Sequence, residues 1–476
     1  MEGMPELCRL SAVELVRLLK RGDVSPLELV EASAARIAQV DPLLNALPTL
    51  CIDRARDHAR RILREGRECE RPAAWLGGLP IAVKDLNPVA GVRTTYGSRI
   101  YADHVPKTSD RLVQRLEANG AIIMGKSNTP EFGAGANTFN EVFGQTRNPW
   151  NVTKSVAGSS GGSAAAIASG QVWLATGSDL GGSLRTPASF NAVVGLRPSP
   201  GRVVRGSPRL AFDMLNVEGP IARSAADAAL FLDAMAGPTH ADPLSLDARS
   251  LPFVDAVRKV PAPRRVCFSP NLGITPVHPE VEQICAAAAQ RFADMGADLD
   301  DACPSFAGAF DTFTVLRSVW FAGEHEEHLR HHKALLKPEV ISEIEKGLAL
   351  TAADVVRAER ERTGLYRNIA AFFEDHDLLL CPTAIVPPFD IDRRYVEEVN
   401  GYRFDNYVQW TSITSAITLT SCPAVSVPVG FTQACLPVGL QIIGPPRGES
   451  QVLAAAARLE EAVQVVGRLP VDPINP

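Results

Sequence analysis

Between Ala157 and Gly201 glycine and serine crowd into two tracts, Gly158-Ser159-Ser160-Gly161-Gly162-Ser163 and Gly181-Gly182-Ser183, with an apolar interval between them. An isolated tract of this composition is usually a flexible linker. Here the first runs straight into Ala164-Ala165-Ala166-Ile167-Ala168, a strong helix former, and the second into Leu184-Arg185 ahead of Thr186-Pro187. Each therefore reads as an ordered turn that opens a helix, and the pair demands a rigid frame behind it. Such turns also carry chemistry. Glycine lets backbone N–H groups approach a carbonyl oxygen closely, and a neighbouring serine supplies an attacking oxygen.

The remainder of the chain reads as the same kind of frame. Ser11 to Lys20 and Pro26 to Val40 are expected helices. The second opens on Ser25-Pro26-Leu27-Glu28, a capping serine with glutamate three residues on, and Leu27, Val30, Ala34 and Ile37 share one face. Leu79 to Val83 and Ala121 to Met124 have strand length and apolar character, and Asp110 to Asn119 between them has helical periodicity that stops at Gly120. That is a βαβ pattern. Further helices are expected over Ser224 to Ala236 and Glu280 to Met295, and strands over Leu378 to Leu380 and Val425 to Val427. The fold class is α/β with a largely buried sheet. Phe306 to Glu374, rich in helix formers and charge, is expected to be a helical excursion over that sheet. The Pro/Arg-rich stretch Val260 to Arg265 suits either a domain boundary or a six-residue surface loop.

Bulk properties exclude several functions. A net charge of −6 offers no basic surface for a phosphate backbone, so no nucleic acid partner is expected. No run of eighteen apolar residues spans a membrane. Met1 to Lys20 is broken by Glu2, Glu6, Glu14, Arg17 and Lys20, unlike a signal peptide. The nine cysteines are scattered, odd in number and without a CxxC pair, which suits reduced thiols and a cytoplasmic location.

A nucleophilic serine needs a base. None of the nine histidines lies near the two tracts in the chain, and neither Ser159 nor Ser183 is the central serine of a Gly-x-Ser-x-Gly elbow. Lys84 is an alternative. It ends the apolar run Leu79-Pro80-Ile81-Ala82-Val83, where desolvation would favour the neutral amine; from this segment alone an exposed lysine paired with Asp85 is the commoner outcome. Gly120-Ala121-Ile122-Ile123-Met124-Gly125-Lys126-Ser127 matches GxxxxGK[ST], but its middle is itself the strand and Asn128-Thr129-Pro130 interrupts any helix, so it reads as a chance match. His325-Glu326-Glu327-His328 misses HExxH because position 329 is leucine; with His331 and His332 it reads as a solvated helix face.

Lys84, Ser159 and Ser183 together make the chain resemble the amidase signature family. The likeness runs through Ala157 to Ala165, Gly177-Ser178-Asp179-Leu180-Gly181-Gly182-Ser183-Leu184-Arg185-Thr186-Pro187 and Val194-Gly195-Leu196-Arg197-Pro198. The spacings, 75 residues from Lys84 to Ser159 and 24 from Ser159 to Ser183, are typical of that family's Ser-Ser-Lys triad. Matches continue at Gly125 to Phe132, Asn148-Pro149-Trp150, Cys381-Pro382-Thr383 and Leu436 to Gly444.

The resemblance implies one large α/β/α domain over residues 1–476, built on a twisted mixed sheet, with a variable helical region at about 240–375 covering the substrate pocket. It implies Ser183 as nucleophile, Ser159 as the bridging serine on a cis peptide with Gly158, and neutral Lys84 as base. Backbone N–H groups of Leu180, Gly181, Gly182 and Ser183 would form the oxyanion hole, with Ser160, Asp179 and Arg185 in support. It implies no cofactor and no metal. The substrate would be a small or aryl amide, or a carbamate or ester open to the same acyl-enzyme chemistry, as in aryl acylamidases, nylon-oligomer hydrolases and urethanases. A homodimer is compatible with it. The alternative is the glutamine-hydrolysing component of a tRNA-dependent amidotransferase, but those proteins commonly read Arg-Gln-Pro where this chain reads Arg185-Thr186-Pro187.

Departures from the pattern are Ala157 for glycine, Ser178 for threonine, and Thr418 with Ser421 for asparagine and glycine, the last pair expected to reshape the acyl pocket. Pocket walls are expected from Tyr96 to Tyr101, Gly135 to Phe139 and Phe306 to Phe321, with Phe313, Trp320 and Phe321 aromatic candidates.

Overall fold

A strand whose every residue is buried needs cover on both faces, and this chain has several. Pro80–Lys84 and Ile122–Ser127 are buried throughout, as are Leu174–Asp179 and Pro437–Ile443. The computed structural model describes residues 5–66, 71–72, 74–206, 209–247 and 249–475. It joins these strands into one mixed sheet of eleven. In chain order the strands are β1 (Thr49–Leu50), β2 (Pro80–Lys84), β3 (Ile122–Ser127), β4 (Leu174–Asp179), β5 (Val194–Arg197), β6 (Val217–Ala222), β7 (Arg265–Phe268), β8 (Asp298–Asp300), β9 (Leu378–Pro382), β10 (Ala424–Phe431) and β11 (Pro437–Ile443). Their order across the sheet is β1-β3-β2-β4-β6-β5-β10-β11-β9-β7-β8.

The expected βαβ unit is present: β2 runs parallel to β3, and Arg111–Ala118 crosses between them with the Asp110 carboxylate accepting from the Leu112 N–H at 2.7 Å. On its other side β2 is parallel to β4, and β6 returns antiparallel to β4. The second glycine-serine tract therefore leaves from the middle of the sheet, at the end of β4, and the first precedes the helix that leads into β4. The first opens the helix Gly161–Ala168, all of it buried; the second opens Arg185–Asn191.

The helix Pro26–Leu44 begins with the expected capping box, but its buried face differs from the expected one. Leu27 and Ala34 are only half-buried, and Ser33 and Arg36 turn inward beside Val30 and Ile37. Those polar groups satisfy main-chain carbonyls beyond the first tract: Ser33 Oγ donates to Gln171 O at 2.6 Å and Arg36 Nε to Ser169 O at 2.7 Å. Ser224 caps Ala225–Met235, and Pro279–Asp294 covers the expected later helix. Residues 260–264 are a loop between Phe253–Lys259 and β7. The helical excursion consists of Ala309–His332, Pro338–Ala349 and Ala352–Asp375. Eight cysteines are free; Cys69 lies outside the described residues, as do Met1 to Met4 ahead of the expected first helix. No described helix is long and apolar enough to cross a membrane.

Candidate active site

Lys84 is the last residue of β2 and is fully buried. Its Nζ donates to Ser159 Oγ at 2.7 Å, Ser160 Oγ at 2.8 Å and Ser178 Oγ at 2.9 Å. Three hydroxyls thus surround the amine. Burial pulls its pKa down to about 7, while the more distant charges of Glu218 and Asp179 pull it back up. An amine near neutrality inside a hydroxyl cage can accept a proton from a serine.

The pairing of Lys84 with Asp85 does not occur. Asp85 accepts from Thr95 Oγ1 at 2.6 Å and from Lys126 Nζ at 3.1 Å. Lys126 also donates to Asn87 O at 2.7 Å and Thr94 Oγ1 at 3.0 Å. The chance phosphate-loop match is thereby accounted for: it is strand β3, with its lysine turned into a buried ion pair.

The first tract is shaped by close packing. A Cβ on Gly162 would lie 2.3 Å from Asn128 N, so only glycine lets the helix begin there. The Gly158-Ser159 peptide is cis. Ser160 N–H donates to the Ser183 carbonyl at 3.3 Å, tying one tract to the other.

The second tract is organised by Asp179 at the end of β4. Its carboxylate accepts from Gly182 N–H at 2.8 Å and Leu184 N–H at 3.1 Å, and from Arg185 through Nε and one terminal nitrogen, both at 2.9 Å. Arg197 adds a contact at 3.2 Å. Burial opposes the charged form of Asp179, yet the two guanidiniums outweigh it and hold the carboxyl below the usual range. One expectation changes here: Gly182 presents its N–H to Asp179, which leaves Leu180, Gly181 and Ser183 as the candidate oxyanion donors. Gly182 still needs its glycine, since its φ is +127° and a Cβ would meet Thr414 Oγ1 at 2.3 Å.

Arg185 reaches further, donating to Gln441 Oε1 at 2.5 Å, Thr414 O at 3.0 Å and Thr418 Oγ1 at 3.0 Å. Thr418 is therefore a buried partner of Arg185 and not a wall of the acyl pocket. Ser421 takes a long contact from Arg362, at 3.4 Å. The expected effect of this pair on pocket shape is not what the structure has.

Leu180, Gly181, Gly182 and Ser183 line a cavity to which Ser159 and Ser178 also contribute. One wall is the helix Ala309–His332, through Phe313, Arg317, Trp320 and Phe321, as the sequence suggested. Gly135 and Ala136 also contribute as expected. Phe132, Tyr407, Val408 and Thr411 are walls the sequence did not reveal. Arg317 pairs with Glu343 at 2.5 Å, donates to Tyr407 Oη at 2.8 Å and lies over the Phe321 ring, so its charge is neutralised at the wall.

Tyr96 to Tyr101 stand behind the cavity rather than in it: Tyr101 meets the edge of Phe132 and its hydroxyl bonds His328 at 2.8 Å. The expected solvated histidine face is half right. His331 and His332 are exposed, but His325 is buried against Phe132 with ring centroids 4.4 Å apart, and burial drops its pKa to about 3. At the opposite edge of the sheet Cys267 donates to Asp300 at 2.9 Å, and His376 approaches the same carboxylate at 3.6 Å.

Sequence reasoning missed Arg197 and Gln441 as parts of the site although both sit in matched segments, because a motif gives position without partner. It also missed Glu218, whose signal was a lone acid in the buried run Val217 to Ala222.

A sequence model described as Amidase matches residues 28–453. An acylamidase of Rhodococcus erythropolis is 34% identical over 471 residues, covering 97% of each chain. The A component of the glutamyl-tRNA(Gln) amidotransferase of Synechococcus sp. (strain CC9605) is 35% identical over 488 residues, covering 96% of this chain and 97% of its own. The crystal structure of a bacterial aryl acylamidase superposes with a TM-score of 0.90 at 29% identity, covering 98% of this chain and 99% of that one.

Proposed function

The chain belongs to the amidase signature family of amide hydrolases, and from that premise we propose that it cleaves small or aryl amides through an acyl-enzyme on Ser183. The observation that carries this reading is the buried Lys84 amine, 2.7 Å from Ser159 Oγ and in contact with hydroxyls alone. Neutral Lys84 takes the Ser159 proton as Ser159 takes that of Ser183, and Ser183 Oγ attacks the amide carbon. The carbonyl electrons move onto oxygen, facing the N–H groups of Leu180, Gly181 and Ser183. Losing one such donor typically costs about 3 to 4 kcal/mol of barrier. As the tetrahedral intermediate collapses, the proton returns through Ser159 to the leaving nitrogen and an amine departs. Water, activated by the same chain of groups, then releases the acid and restores Ser183.

The aromatic and neutralised walls support an uncharged, ring-bearing substrate. Carbamates and esters pass through the same intermediate, so urethane hydrolysis belongs to this proposal. The continuous sheet supports one catalytic domain, and the free thiols suit a cytoplasmic enzyme. A fluorophosphonate probe tests the nucleophile: wild type labels and Ser183→Ala does not, whereas undiminished labelling of Ser183→Ala removes the mechanism. Nitroanilide, anilide and carbamate panels then rank the bond.

Identity to the amidotransferase component favours a second reading, glutamine hydrolysis with ammonia passed to a partner. Arg185-Thr186-Pro187, where those proteins commonly carry Arg-Gln-Pro, weighs against it. Glutamine-dependent ammonia release together with a co-purifying partner would establish the second reading and displace the first.

A further inference from the structure

The strand β6 is buried and apolar apart from one residue, Glu218, whose side chain is only 6% exposed. A carboxyl in such a place is costly unless its surroundings use it. In the antiparallel register Glu218 stands directly opposite Ser178, so the two side chains leave the same face of the sheet as a cross-strand pair. Ser178 Oγ is one of the three hydroxyls on Lys84 Nζ. The carboxyl thus lies one side chain beyond the cage of the base. Asn87, three residues after Lys84, hydrogen-bonds it, and its Oε2 has no hydrogen-bond partner among the described residues.

The neighbouring charges are largely committed elsewhere. Asp179, next to Ser178, is taken by Arg185 and Arg197. Lys126 is held by Asp85, and Arg205, from the loop after β5, by Asp213. Asp110 caps its helix and adds like charge. Lys84, whose contacts are all hydroxyls, is the cation left to answer Glu218.

We propose that Glu218 is a positioning residue for the amide hydrolysis proposed above: the charge of its carboxyl, one side chain beyond the hydroxyl cage, acts on Lys84 across Ser178 and so sets the pH at which Lys84 is a neutral base. Burial pushes the Glu218 carboxyl up while it pulls the Lys84 amine down. Around neutral pH the pair then holds one proton, either as ammonium with carboxylate or as amine with carboxylic acid. Only the second form contains a base.

The inference rests on Lys84 being the base, and pH profiles separate the two claims. In wild type the acid limb of kcat/KM for a nitroanilide should be broad, spanning two coupled protonations. In Glu218→Gln the carboxylate no longer favours the ammonium. The limb should sharpen to one proton and move down by about one pH unit, a tenfold change in neutral lysine at a given pH. A purely structural role would lower the plateau without moving the limb. The rate of fluorophosphonate labelling, read against pH, must follow the same limb without any contribution from substrate binding. If Glu218→Gln fails to fold, Glu218→Asp shortens the reach by one methylene and should move the limb the same way by a smaller step. A limb that stays in place or rises in either folded variant overturns the inference. Wild-type labelling by Lys84→Ala overturns instead the reading on which it rests.

Discussion

Lys84 and Lys126 are one register step apart on neighbouring parallel strands, and neither has measurable exposure. Burial pulls both amines down. They differ in company. Lys126 touches the Asp85 carboxylate, a carbonyl and one hydroxyl, so its charge is answered within 3.1 Å. Lys84 touches three hydroxyls, which accept from an ammonium or donate to an amine with little preference. Desolvation alone does not make a base; desolvation without a contacting anion does. The carboxylate Asp85 follows Lys84 in the chain yet serves the other lysine, and that exchange separates a structural cation from the candidate base.

Removing each lysine should break the comparison in opposite ways. Lys84→Ala should lower kcat/KM by roughly 10³ or more, the upper range for a general base, without loss of fold. Lys126→Met should leave Asp85 buried and uncompensated, destabilising the protein by about 3–5 kcal/mol. Urea denaturation and nitroanilide turnover on both variants decide it. Equal stability loss at the two positions would erase the distinction.

The same contrast predicts a pH dependence of stability. An unfolded lysine titrates near 10.4, whereas Lys84 titrates at about 7 in the fold. Between these values the unfolded chain binds the extra proton, so this group makes stability rise with pH over roughly 7 to 10. Below that window both states are protonated and the native state carries the full cost of a buried ammonium. Lys84→Met lacks the term. Its stability relative to wild type should therefore be greatest near pH 6.5 and shrink as pH approaches 10, measured by urea midpoints across that range. A flat difference would mean that Lys84 stays charged in the fold.

Much of this is legible in the residues alone. The tracts at 158–163 and 181–183 and the βαβ pattern are legible because local turn chemistry and strand burial are written in composition, whereas Lys84 joins the two tracts only through the resemblance to the amidase signature family, its own segment favouring an exposed lysine paired with Asp85. What stays hidden is pairing. Nothing local says that Asp85 turns to Lys126, that Gly182 N–H is spent on Asp179, or that Arg185 links a turn to Gln441 and Thr418 more than 200 residues away. The helix face at Pro26–Leu44 differs for a related reason. Its inward Ser33 and Arg36 serve distant carbonyls that periodicity cannot see.

Thr418 gives the smallest and sharpest test, since it places a hydroxyl on a cation of the other kind. Arg185, like Lys126, is answered by a carboxylate, here through two bonds of 2.9 Å to Asp179. A hydroxyl added to such a cation is auxiliary. Thr418→Val keeps the shape and removes one hydrogen bond of 3.0 Å, so the cost should be about 1 kcal/mol, seen as a small fall in urea midpoint with KM unchanged. Ser178→Ala removes a hydroxyl of similar length, 2.9 Å, from Lys84. There the hydroxyls are the amine's whole surroundings, so the change should appear in the acid limb of the rate profile rather than in stability. If Thr418→Val instead alters KM several-fold, Thr418 faces the substrate after all, and the division between carboxylate-held and hydroxyl-held cations does not organise this site.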